Sequence, residues 1–197
     1  MTARRINDVR SAVFNLPNQL TWARLVLAVA MFCFIAGAYY RISLTLFLIA
    51  AGTDWLDGFL ARKYDLVTTL GRILDPFADK VVVCGAFIFL SAIPGSRVLP
   101  WMTVVIVGRE LLVTALRSFL EEQGADFSAT LSGKLKMILQ CVAVSLSLYS
   151  LAELGKTPEG VRPWLAYLVS ASVWSAVALT VISGIAYVRT AISLVRR

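Results

Sequence analysis

The chain has 197 residues, 58% of them hydrophobic and 16% charged, with a formal net charge of +7. Its mean hydropathy of +0.76 is too high for a soluble domain and predicts an all-α integral membrane bundle. Histidine is absent, which excludes a histidine nucleophile or general base and the usual zinc sites, and leaves carboxylate chemistry suited to hard cations such as Mg²⁺ or Mn²⁺.

Residues 1–16 set Arg4, Arg5, Asp8 and Arg10 between Ile6, Val9, Val13, Phe14 and Leu16. That spacing approximates a helical period and predicts an amphipathic helix lying on the membrane surface, in preference to a signal peptide. Residues 17–197 then form the membrane domain. Pro17-Asn18 opens the first span, with Asn18 or Thr21 as its helix-start residue. Six transmembrane helices are predicted near 18–39, 42–62, 70–93, 98–122, 130–153 and 163–189. Pro94-Gly95, Pro100 and Thr157-Pro158 mark short turns. Cys33, Cys84 and Cys141 stand singly in apolar runs and read as small core hydrophobes, with neither disulfide nor ligand spacing.

Orientation follows from the basic residues. Fifteen of the 19 lysines and arginines fall on the side that carries both termini. Only Arg41, Arg97, Lys156 and Arg162 fall on the other. The first side is therefore cytoplasmic. Because the charge follows the membrane, no nucleic-acid partner is needed to explain it.

One stretch resists a packing explanation. Asp54, Asp57, Asp75 and Asp79 all lie inside apolar sequence. A carboxylate at a helix centre costs roughly 2.5–3.5 kcal/mol to insert, so such residues usually face a site. Asp54 and Asp57 are three apart and Asp75 and Asp79 four apart, so each pair shares a helix face. A turn over Lys63 to Thr69 would bring the two faces together as a helical hairpin. Gly58 and Ala61 share roughly the face of Asp54 and would open a shallow groove, although small residues alone are more often helix packing. A carboxylate face beside such a groove suits a metal-bound diphosphate. Two divalent cations about 3.5–4 Å apart would polarise a phosphoryl group, and a carboxylate less committed to metal would take a proton from an attacking hydroxyl.

The string Asp54-x2-Asp57-Gly58-x2-Ala61-Arg62-x8-Gly71-x3-Asp75-x3-Asp79 resembles the signature of the CDP-alcohol phosphatidyltransferases, with no departure at a fixed position. The six-span layout and interfacial helix resemble that family over essentially the whole chain. The resemblance implies that Asp54, Asp57, Asp75 and Asp79 hold two divalent cations, Mg²⁺ or Mn²⁺, with Asp79 also the general base. It implies that Gly58, Ala61, Arg62 and Gly71 line the pocket for the CDP moiety of CDP-diacylglycerol. An alcohol would attack the lipid-side phosphorus and release CMP. The resemblance further implies a homodimer in the lipid bilayer of a bacterial cytoplasmic membrane.

The acceptor must be read from elsewhere. Arg109, Arg117, Lys134 and Lys136 fall near the cytoplasmic ends of spans four and five. Snorkelling to headgroups accounts for Lys136 or Arg117 but poorly for Arg109, whose surroundings are apolar. Lys134 and Lys136 diverge, so only one is expected to point inward. Glu110 either holds Arg109 or faces a partner helix. A cationic cluster suggests an acceptor bearing a phosphate, which favours glycerol 3-phosphate. The segments 15–24, Gly108-Arg109-Glu110, Leu116-Arg117 and Ser132-Gly133-Lys134-x-Lys136-x3-Gln140 also resemble phosphatidylglycerophosphate synthases, with Met137 where a threonine is expected. That likeness implies that Asn18, Thr21 and Arg24 approach the nucleotide site and that the four basic residues bind the acceptor phosphate. Two other readings are a cardiolipin synthase with phosphatidylglycerol as acceptor, and, from a different class, a cation transporter. Acids in spans also mark ion paths, but the sequence shows none of the repeats or broken helices of transporters.

Overall fold

The computed structural model describes residues 16–64, 69–122, 131–154 and 162–195, with side chains described over 21–53, 77–120, 135–154 and 162–193 and at Gln19. Among them are six helices and no strand: α1 (Leu16–Ala36), α2 (Tyr40–Tyr64), α3 (Thr69–Ser91), α4 (Pro100–Glu122), α5 (Leu131–Glu153) and α6 (Pro163–Val195). The chain divides into two compact units, Met1–Gly85 and Ala86–Arg197, with the division inside α3.

In the first unit α1 packs on α2. Helix α1 opens at Leu16, so Asn18 and Thr21 lie inside it rather than at its start. The reason is Pro17, whose fixed φ and missing N–H suit a first helical turn. Helix α1 ends in a Schellman motif. The Ala38 N–H donates to the Ile35 carbonyl at 3.0 Å and the Tyr39 N–H to the Phe34 carbonyl at 2.9 Å. Ala38 takes the left-handed turn at φ 61°, a position where glycine is usual. The Tyr39 and Phe34 rings then meet edge to face, with centroids 6.1 Å apart. This apolar clasp turns the chain into α2 within three residues.

The inner face of α1 runs Thr21, Arg24, Ala28, Met31 and Ile35, all buried. Its outer face carries Trp22, Val26 and Val29, all exposed. Cys33 continues the outer face and is exposed, contrary to the expectation of a core residue; Cys84 is buried and Cys141 half-buried. Farther along, α3 comes so close to α1 that a Cβ at Gly85 would collide with the Phe32 ring.

In the second unit, α6 packs on both α5 and α4. The connector from α3 to α4 follows the predicted turn, with Gly95 at φ 87°. Its Ser96 oxygen accepts the Val98 N–H at 3.2 Å, and the Ser147 hydroxyl of α5 donates to the Ser96 carbonyl at 2.7 Å. Pro100 is the first residue of α4, where proline costs no hydrogen bond. Helix α6 outruns its predicted end and reaches Val195. At about 1.5 Å per residue it is roughly 50 Å long, more than the ~30 Å hydrocarbon core of a bilayer.

Helix α6 is apolar around most of its circumference. Leu165, Val169, Val173, Ala176, Thr180, Ser183 and Tyr187 form a buried stripe, while Tyr167, Leu168, Trp174, Ile182 and Ile185 are exposed. A helix apolar on its outside as well as its inside fits lipid better than water. Among the described residues, two segments are long and apolar enough to cross a membrane, Leu135–Glu153 and Pro163–Ser193; Thr21–Ala36 and Tyr40–Thr53 are apolar but shorter. Helix α2 carries Asp54, Asp57, Arg62 and Lys63, and α4 carries Arg109, Glu110 and Arg117. The interfacial helix expected over 1–16, the turn over 65–68 and the Thr157-Pro158 turn lie outside the described residues.

Candidate functional site

The acidic candidates belong to the first unit. The backbone is helical at Asp54 and Asp57 in α2 and at Asp75 and Asp79 in α3, as the motif reading expects. The side chains of Asp54, Asp57, Gly58, Ala61, Arg62, Gly71 and Asp75 lie outside the described residues, as does that of Asn18. Asp79 is described. Its Oδ1 accepts from Nη1 of Arg24 on α1, 55 residues away in sequence, in an ion pair. The arginine side chain is 2% exposed and the aspartate 28%. A buried guanidinium must be paired to be tolerated, so α1 is tied to α3 at the motif's last acid. Thr21, one turn before Arg24, is buried on the same face of α1.

The chemistry of this donor set fits a hard divalent cation. The motif offers carboxylate oxygens alone, the chain has no histidine, and its three cysteines stand outside the motif. Asp79 keeps about a quarter of its surface open, so the end of the motif is not sealed in packing.

The basic candidates belong to the second unit, where three helices build a cluster. Glu110 on α4 uses a single oxygen, Oε1, to accept from its neighbour Arg109 at 3.3 Å and from the Lys136 ammonium on α5. The Arg109, Lys136 and Glu110 side chains are 9%, 6% and 13% exposed. Two buried cations thus meet on one carboxylate oxygen. Arg109 also donates from Nη2 to Ser183 on α6 at 3.0 Å and lies 5.3 Å from the centroid of the Tyr187 ring. One turn deeper, Gln140 donates to Thr180 at 3.2 Å, joining α5 to α6 again.

The sequence reading is altered here in two ways. Lys136 does not snorkel; it is buried and paired. Glu110 does both of the things considered for it, holding Arg109 and reaching a partner helix. Arg117 is half-buried, and its Nε is buried without a hydrogen-bond partner among the described residues. Lys134 lies outside them. Sequence reasoning missed the Arg24–Asp79 pair and the roles of Ser183 and Tyr187. The available signal was the 180, 183, 187 spacing of hydroxyl side chains in an otherwise apolar span.

Comparison with known proteins agrees with the motif. The family model for CDP-alcohol phosphatidyltransferase matches residues 14–186. A CDP-diacylglycerol–glycerol-3-phosphate 3-phosphatidyltransferase of Bacillus subtilis (strain 168) is 38% identical over 193 residues, covering 89% of this chain and 94% of that protein. A protein named as a probable phosphatidylglycerophosphate synthase of Mycobacterium tuberculosis is 36% identical over 190 residues, 93% of this chain and 84% of its own. A CDP-diacylglycerol–glycerol-3-phosphate 3-phosphatidyltransferase of Salmonella choleraesuis is 34% identical over 185 residues, 90% and 95% of the two chains. With the motif complete and the match running nearly end to end, the chain belongs to the CDP-alcohol phosphatidyltransferase family.

Proposed function

We propose that this protein transfers the phosphatidyl group of CDP-diacylglycerol to glycerol 3-phosphate, giving phosphatidylglycerophosphate and CMP. The observation that carries the acceptor is the buried Arg109–Glu110–Lys136 cluster, in which two cations meet at one carboxylate. Relatives named for the same reaction support it. An uncharged alcohol such as unphosphorylated inositol gives such a cluster no anion to bind, whereas a phosphate monoester carries close to two negative charges at neutral pH.

In this reading Asp54, Asp57, Asp75 and Asp79 hold two divalent cations, Mg²⁺ or Mn²⁺, which when bound neutralise the diphosphate and stabilise charge on the attacking and leaving oxygens. Gly58, Ala61 and Gly71 leave room for the CDP moiety, and Asn18, Thr21, Arg24 and Arg62 approach it. Arg109, Arg117, Lys134 and Lys136 receive the acceptor phosphate. Asp79 takes the proton of the acceptor hydroxyl as its oxygen forms a bond to the lipid-side phosphorus. The bond from that phosphorus to the bridging oxygen breaks, and CMP leaves. Arg24, paired with Asp79, fixes where that carboxylate lies. The acyl chains stay in the bilayer throughout, which is why a polar transfer is housed among apolar helices.

The membrane arrangement proposed with this function is an interfacial helix over 1–16 and a six-span domain over 17–197. Both termini and the site are cytoplasmic, and the enzyme acts as a homodimer. The assay for the function is CMP release by purified protein from CDP-diacylglycerol with Mg²⁺, offering glycerol 3-phosphate, phosphatidylglycerol, inositol phosphate and serine separately. Release with glycerol 3-phosphate alone is expected. Release with phosphatidylglycerol instead would make it a cardiolipin synthase, and no release from folded protein would revive the transporter. Arg117→Ala is expected to raise KM for glycerol 3-phosphate about tenfold, the loss of a charge-assisted contact, while KM for the CDP-lipid holds. An equal rise in both would remove Arg117 from the acceptor site.

A further inference from the structure

We propose that the last helix is part of the acceptor site, because Ser183, Gly184 and Tyr187 of α6 position Arg109 so that its Nε–H meets an oxygen of the acceptor's phosphate. This rests on the acceptor assignment above.

An arginine in an apolar span tends to uncoil toward the headgroups. Arg109 is held back from doing so on three sides. Its Nη2 donates to the Ser183 hydroxyl at 3.0 Å. That hydroxyl spends its own proton on the Thr180 carbonyl at 3.1 Å, so its oxygen is turned to accept. The guanidinium carbon lies 5.3 Å from the centre of the Tyr187 ring, within cation–π range. The aliphatic stem fits against Gly184, where a Cβ would come to 3.0 Å from the arginine Cγ. Thr180, Ser183, Gly184 and Tyr187 recur at the spacing of one helix face, so a single surface of α6 forms the cradle.

Nη1 is engaged by Glu110 at 3.3 Å. The nitrogen left over is Nε, which is buried and meets no acceptor among the described residues. Buried donors nearly always have a partner. The guanidinium fork matches phosphate geometry only when its plane is fixed, and this cradle fixes it. Glu110 and Lys136 complete the arrangement by setting the charge; α6 sets the orientation.

The test is steady-state kinetics of the purified full-length enzyme in detergent–lipid micelles, varying glycerol 3-phosphate and CDP-diacylglycerol independently. Ser183→Ala and Tyr187→Leu are each expected to raise KM for glycerol 3-phosphate about three- to tenfold. Neither should change KM for CDP-diacylglycerol by more than about twofold, and Tyr187→Phe, which keeps the ring face, should raise KM for glycerol 3-phosphate less than Tyr187→Leu does. In an Arg109→Ala background the same substitutions should add nothing, because residues that act through one another are not additive. Ser183→Ala alters a single atom and carries the test if Tyr187→Leu does not accumulate as folded protein. An Arg109→Ala enzyme with an unchanged glycerol 3-phosphate KM would overturn the acceptor assignment itself. If Arg109→Ala raises that KM while the α6 variants do not, or if their effects add to it, the positioning role alone is overturned.

Discussion

Asp79→Asn is expected to lower kcat for CMP release by roughly 10²–10⁴-fold, the usual contribution of a positioned general base. KM for CDP-diacylglycerol should change little, because asparagine keeps one side-chain oxygen for Arg24, while Asp54, Asp57 and Asp75 would still hold the cations. The pairing with Arg24 makes the choice of variant important. Asp79→Ala would leave the arginine, 2% exposed, facing a methyl group, and would confuse lost folding with lost chemistry. Asparagine preserves shape and accepts a hydrogen bond, so a smaller drop in melting temperature than for Asp79→Ala is expected beside the collapsed rate. A near-normal rate in Asp79→Asn would show that the acceptor's proton goes elsewhere.

The second large effect is on stability. Glu110→Ala would strand Arg109 and Lys136, both at least nine-tenths buried, without the carboxylate they share. Breaking a buried ionic network from one side costs about 3–5 kcal/mol, and the melting temperature in detergent should fall accordingly. The double substitution Glu110→Leu with Lys136→Met removes one charge of each sign and keeps the net charge of the cluster at +1. It should recover most of the lost stability, since apolar residues of similar size often replace buried pairs at little cost. It should not recover affinity for glycerol 3-phosphate, because Lys136 is gone. A single variant that melts like the wild type would mean that the carboxylate is not balancing these charges.

The helices were legible in the sequence because each is a long apolar run bounded by proline, glycine or charge. Helix α3, for instance, stops where Pro94-Gly95 was expected to turn the chain. The aspartate motif was legible because four carboxylates in apolar sequence have no bland explanation. What could not be read was pairing across distance. Nothing in the neighbourhood of Arg24 announces Asp79, since the two meet only when α1 lies against α3. Lys136 was ambiguous for a related reason: near a helix end, a lysine that snorkels and one that is held look alike until the partner on the next helix is known. Tyr187 drew no reading at all, because a ring's use depends on the cation above it. Cys33 shows the converse error. An apolar neighbourhood signals burial in a soluble protein, but α1 has an outward apolar face as well.

The exterior of the second unit is at least as greasy as its interior: Val104, Tyr167 and Ile182 face outward while Lys136, Gln140, Ser147, Thr180 and Ser183 are enclosed. In a bilayer, exchanging a lipid tail for a neighbour's leucine gains little, so apolar contact alone cannot tell one helix from another. The enclosed polar groups can. Gln140 recognises Thr180, Ser147 the carbonyl of Ser96, Lys136 the carboxylate of Glu110 and Arg109 the hydroxyl of Ser183. A slide of one residue between helices would break these matches together. In a membrane such helices would therefore carry their own addresses, and the residues proposed to bind substrate would double as the labels by which the helices find their neighbours.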